Sequence, residues 1–68
     1  MEIVVTRHHN NGDCDVVFRK DINEIIAITT VETYIDDTFA CGLNIRVKDR
    51  DYDFIDNEDE YWHIIQFE

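Results

Sequence analysis

The chain has 68 residues, with sixteen Asp and Glu against six Lys and Arg for a formal net charge of −10, and 44% hydrophobic residues that include four Phe, three Tyr and one Trp. So short a chain buries only about 60% of the surface its unfolded form exposes, yet it is too apolar for a disordered acidic tail, so one thin-cored acidic domain over 1–68 is expected. The charge excludes direct binding to nucleic acid and to anionic membranes, because the protein's own field repels phosphate.

Taken in chain order, the start Met1-Glu2-Ile3-Val4-Val5-Thr6-Arg7 carries an acid at position 2 and only three apolar residues in a row, unlike a signal peptide. No apolar run approaches the roughly 18 residues of a membrane span. A soluble, cytoplasmic protein is expected. Ile3 to Thr6 is a β-branched run, and the Asn11-Gly12 pair that follows is a hairpin turn signal. Cys14, Val16 and Phe18 alternate with Asp15, Val17 and Arg19, which predicts a second strand with one buried face.

Asp21-Ile22-Asn23-Glu24 has the form of a capping box, with an acceptor at the first position and a carboxylate three residues on. Eight of the eleven residues from Ile25 to Ile35 are β-branched, however, and each loses side-chain freedom in a helix. A short helical turn near 21–25 and a strand from about 26 to 34 are predicted, with a helix over 22–36 packed on a sheet as the alternative. Asp36-Asp37-Thr38 reads as a turn. Phe39 to Lys48 reads as a strand with Leu43, Ile45 and Val47 facing inward. Continued straight, that strand would bury Asp49, Asp51 and Asp53, so a bulge or turn is required near 48–51. Tyr61 to Phe67 has apolar residues on both faces and reads as an inner strand, or as one packed against a partner. The fold class is mainly β: a small antiparallel sheet of four or five strands.

The segment Asp49 to Glu60 holds seven of the sixteen acids and one base, Arg50. Asp49, Asp51, Asp53 and Glu60 fall at positions 1, 3, 5 and 12 of a calcium loop, but Phe54 stands where such a loop turns on glycine and Asp56 where it is apolar, so calcium binding is a minor alternative. The stronger reading takes Asp49, Asp51, Asp53, Asp56, Glu58, Asp59 and Glu60 as substitutes for nucleic-acid phosphates. Alternate residues on a strand are about 6.6 Å apart, so one row supplies half the charge density of a DNA strand and a second row is needed. Asp36, Asp37, Asp13 and Asp15 are candidates if the fold gathers them. Tyr52, Tyr61 and Trp62, interleaved with the acids, are candidate interface anchors beside them, although Phe54 and Tyr61 are also candidate core residues.

Other chemistry has less to stand on. His8, His9, Cys14, Cys41 and His63 are zinc-ligand types without zinc-site spacing, and adjacent histidines on a strand point to opposite faces. Cys14 and Cys41 are expected to be buried free thiols. Serine is absent, there is no phosphate-binding glycine loop, and the chain is short for a sheet plus a substrate pocket, so no enzyme, no metal and no cofactor is expected. In gross character, as an acidic chain of this size, the protein resembles the small inhibitors by which phages disable host defence, such as anti-CRISPR and anti-restriction proteins. That resemblance implies a basic, nucleic-acid-binding protein as target, in the host cytoplasm. The alternative from another class is an immunity-type or adaptor module that binds its partner through Tyr61 and Trp62.

Overall fold

Alternation with period two and β-branching decide local structure along nearly the whole chain. In a computed structural model describing residues 1–68, six strands follow one another: β1 (Glu2–His9), β2 (Cys14–Asp21), β3 (Ile25–Ile35), β4 (Thr38–Val47), β5 (Arg50–Ile55) and β6 (Tyr61–Phe67). They form two three-stranded antiparallel sheets, ordered β2-β1-β6 and β3-β4-β5. This corrects the single sheet of four or five strands, and it corrects the inner place expected for Tyr61 to Phe67, because β6 is an edge strand and β1 is the inner one. The missing strand is β5, whose Tyr52 and Phe54 point inward while Asp51 and Asp53 point out. The chain reverses at Lys48-Asp49, so Val47 pairs with Arg50 and the parity break expected near 48–51 becomes a hairpin turn.

The helix over 22–36 does not form, because β-branched residues fill β3. What remains of the capping signal is a single 3-10 turn over Ile22–Glu24, where the Asp21 carboxylate accepts the Asn23 N–H at 2.8 Å. The first hairpin closes on the expected glycine: Gly12 has φ +96° and donates its N–H to the His9 carbonyl at 3.0 Å.

Inward alternation in β2 fails at one place. Val5 pairs with Phe18 and Thr6 with Val16, so Val17 is an extra, bulged residue. The bulge keeps Phe18 buried, turns Val17 toward the core and leaves Val16 exposed. The core lies between the sheets: Ile3, Val5 and Phe18 from one meet Ile45, Val47 and Phe54 from the other. Phe18 packs edge-on against Tyr52 and Phe54 at ring distances of 5.1 and 5.7 Å. No helix is long and apolar enough to cross a membrane. Both cysteines are free, and both are exposed where burial was expected. Cys14 lies opposite His8 on the outer face of its sheet, and Cys41 lies one residue beyond the stretch of β4 that pairs with β5.

That hairpin turns through Asp36 and Asp37, both in the left-handed region at φ 50° and 65°. A two-residue turn of this type favours Asn-Gly. The double substitution Asp36→Asn with Asp37→Gly is expected to stabilise the fold by about 1 kcal/mol, raising the melting temperature roughly 4–8 °C for a chain this size. Circular-dichroism melts check it, and no increase would show that the aspartates carry no strain.

Candidate functional site

The up-and-down course of the strands places three connections at one end of the molecule: residues 10–13, 36–37 and 56–60. The first and third are tied together, with the Asn10 N–H donating to the Glu60 carbonyl at 2.9 Å and the Asn10 amide reaching the Asp59 carbonyl. These connections carry Asp13, Asp36, Asp37, Asp56, Glu58, Asp59 and Glu60 and not one Lys or Arg. Five of the six bases, Arg19, Lys20, Arg46, Lys48 and Arg50, belong to the other half; Arg7 is the exception. The charge is therefore polarised along the strands, and its field is concentrated at one end.

A groove of about 450 Å³ opens there, between the β3–β4 tip and the 56–60 connection. Asp36, Asp56, Glu58 and Asp59 line it together with the apolar surfaces of Ile35, Phe39, Ile55 and Tyr61. Its neighbour Tyr34 is 72% exposed and packs edge-on against Phe39, at 5.7 Å between rings. Tyr34, Ile35 and Phe39 are the site residues that sequence reasoning missed. The available signal was apolar residues flanking an Asp-Asp turn, where a merely solvated hairpin end would be polar.

Asp56 has a different task from its neighbours. Its Oδ1 accepts the His63 backbone N–H at 3.0 Å and bonds the ring Nδ1 at 2.8 Å, while Arg7 Nε donates to His63 Nε2 at 3.0 Å. Guanidinium nitrogen can only donate, so Nε2 must accept and Nδ1 carries the proton. The Arg7 guanidinium also lies over the Tyr61 ring, 4.7 Å from its centre. This chain of contacts pins the acidic connection to β6, so Asp56 is a positioning residue for Glu58, Asp59 and Glu60.

The remaining sequence-predicted residues separate from that end. Asp49 sits in the turn at the opposite end. Asp51 and Asp53 share the outer face of β5, where Arg46 pairs with Asp51 at 3.0 Å and the Asn44 amide donates to Asp53 at 2.8 Å. The single row Asp49, Asp51, Asp53 therefore shrinks to two carboxylates, each with a partner. Tyr52 is half-buried against Phe18 and belongs with the core. Tyr61 is half-buried and lines the groove, while Trp62 is 42% exposed on the outer face of β6, stacked on His8 at 5.8 Å.

The span Asp49–Glu60 does not wrap around a point either, since the six extended residues of β5 carry its two ends roughly 20 Å apart. His8 and His9 do face opposite ways: His8 stacks on Trp62, and His9 bonds Asp15 at 3.1 Å. No group of three or more His, Cys, Asp or Glu side chains is placed to hold a metal ion.

Of the sixteen acids, Glu2, Asp15, Asp51, Asp56 and Glu68 have a cationic or histidine partner within 4 Å. The rest repel one another through solvent, so raising NaCl to about 0.5 M is expected to stabilise the fold by screening. Thermal melts across that range should show an increase of several degrees, and a flat or falling curve would mean that the acids are already compensated.

No protein-family model, no curated protein and no solved structure matches this chain.

Proposed function

We propose that this protein is a non-catalytic acidic inhibitor that sets its carboxylate-rich end in place of nucleic-acid phosphates and blocks the Lys/Arg-lined groove of a nucleic-acid-binding protein, in the manner of phage-type anti-CRISPR and anti-restriction proteins. The observation that carries this reading is the gathering of seven carboxylates, without one Lys or Arg, on three adjoining connections beside exposed Tyr34 and Phe39. Charge steers the encounter and excludes neutral or acidic partners, whereas the aromatic rings supply contact area that charge alone does not. The Asp-Asp turn supports the same reading. A strained turn of two carboxylates stands where Asn-Gly relaxes the backbone, and it keeps two charges at the tip.

The test is capture from a bacterial lysate on the immobilised protein, followed by elution with rising salt and, separately, with a DNA or RNA oligonucleotide. Nucleic-acid-binding proteins released by both are expected. A partner that stays bound while still holding its nucleic acid overturns the mimic.

A protein-binding module acting through the outer face of β2-β1-β6 is the second reading. It is favoured by Trp62, Ile64 and Val16, which lie exposed on neighbouring positions of that face. The two readings separate on Trp62→Ala, which weakens capture at every salt concentration only if that face is the interface.

A further inference from the structure

β3 is the longest strand and an edge strand, bonded to β4 on one side only. Its other side presents unpaired backbone N–H and C=O groups, a template that folded proteins blunt with lysine, proline, inward charge or a covering element. Over Ile25–Ile35 there is no proline, no Lys or Arg, and one charge, Glu32. The strand's one bulge lies at its start, between Ile25 and Ala27, and leaves the rest regular. Ile26, Ile28, Tyr34 and Ile35 are exposed along it.

The other three edges are protected. β2 carries Asp15, Arg19, Lys20 and Asp21, and β5 carries Arg50, Asp51 and Asp53. The open side of β6 is partly occupied, because its Tyr61 N–H donates to the Asn57 carbonyl at 2.8 Å and its His63 N–H to Asp56.

We propose that β3 pairs antiparallel with β3 of a second copy, joining the two β3-β4-β5 sheets into one six-stranded sheet. A strand that pairs along this edge must itself offer a long, nearly uncharged open edge, which β3 of a second copy does, and charge then sets the direction. A surface of net charge −10 resists a second copy almost everywhere, and β3 is the long exposed edge where only one charge per copy stands in the way. Antiparallel pairing sends the two acidic ends in opposite directions, whereas parallel pairing sets them side by side.

With the twofold axis through Thr30, Thr29 faces the partner's Val31, Ile28 faces the partner's Glu32, and Ala27 faces the partner's Thr33. The two Glu32 carboxylates then stand four residues apart, about 14 Å, which exceeds the roughly 8 Å screening length of physiological salt. Each copy uses its one open β3 edge, so assembly stops at two.

Sedimentation velocity from about 1 to 300 μM protein, in about 0.15 M NaCl, is expected to show a monomer–dimer equilibrium with a midpoint on the order of 10 μM, as suits an interface at the small end of the range. Thr30→Lys sets two ammonium groups face to face on the axis and should raise that midpoint at least tenfold, with the melting temperature unchanged at concentrations well below the midpoint, where the monomer is measured, because Thr30 is exposed. Lysine also makes the net charge less negative, so a general electrostatic effect would strengthen association, and weakened association reports the edge itself.

As an independent readout, Thr30→Cys in a Cys14→Ser, Cys41→Ser background should give a disulfide-linked dimer under mild oxidation, since directly opposed residues meet disulfide geometry. A monomer at every concentration overturns the proposal. So does a dimer that survives Thr30→Lys and does not cross-link through position 30, because such a dimer uses another surface.

Discussion

Gly42→Ala is expected to cost about 3 kcal/mol or more, a large share of the roughly 3–10 kcal/mol a chain of this length commands. Gly42 pairs with Ile55 where β5 leaves its sheet for the acidic connection, and the next residue, Asp56, donates its N–H to the Cys41 carbonyl at 2.8 Å. A Cβ at Gly42 would collide with the Phe54 carbonyl oxygen and stand 2.8 Å from the Ile55 Cα. These are backbone atoms and cannot swing aside as the end of a side chain would, so relief requires β5 to move away from β4. Phe54 and its packing on Phe18 would move with it, and so would the anchor of the 56–60 connection.

Urea unfolding followed by circular dichroism measures the loss as a fall in midpoint, with Gly12→Ala as the control. Gly12 has open space around its Cβ position but φ +96°, so that substitution carries backbone strain alone and should cost about 1 kcal/mol. Equal midpoints for Gly42→Ala and the parent protein would mean that the close approach of β4 and β5 is not obligatory.

The second large effect concerns the acidic end. A fluorescent deca-arginine peptide is a defined probe of a surface built to receive Lys and Arg. Neutralising Asp36, Asp37, Glu58 and Asp59 together, as Asn, Asn, Gln and Asn, is expected to weaken its binding about a hundredfold, taking each lost charge contact at about 0.7 kcal/mol. The control neutralises three acids elsewhere, Asp49, Asp51 and Asp53. Asp51 and Asp53 already have Arg46 and Asn44 as partners, and Asp49 lies at the far end, so a loss of less than about threefold is expected.

Association, more than dissociation, should slow in the first variant, and the difference between the two variants should fade as salt rises. Losses in proportion to the charges removed, four against three, would mean that the peptide senses net charge alone and that the clustering at one end has no consequence for binding. Asp56 is left out of both sets because its carboxylate holds His63, so replacing it would disturb the connection as well as its charge.

Local chemistry sufficed for much of this protein. Excess acid, β-branching from Ile25 to Ile35, the turn residues at Asn11-Gly12 and Asp36-Asp37, and the inward series Leu43, Ile45, Val47 all act within a few residues, and each strand or turn they imply is present in or near its expected place. β5 was hidden because Asp49, Asp51 and Asp53 look like a loop until Tyr52 and Phe54 are given a core to enter. The bulge at Val17 was invisible as well, since it exists only in the register of β2 against β1.

Strand pairing is non-local, and no pattern inside β1 or β6 announces that Ile3 will lie beside Phe67. That pairing, with the two sheets it divides the chain into, decided which carboxylates meet. The run 49–60 is continuous in sequence yet is split between opposite ends, while Asp13, Asp36 and Asp37, far apart in sequence, join Glu58, Asp59 and Glu60. The amount of charge was therefore a property of the sequence alone, whereas its polarity arose only when the antiparallel course of six strands sorted the connections into two ends.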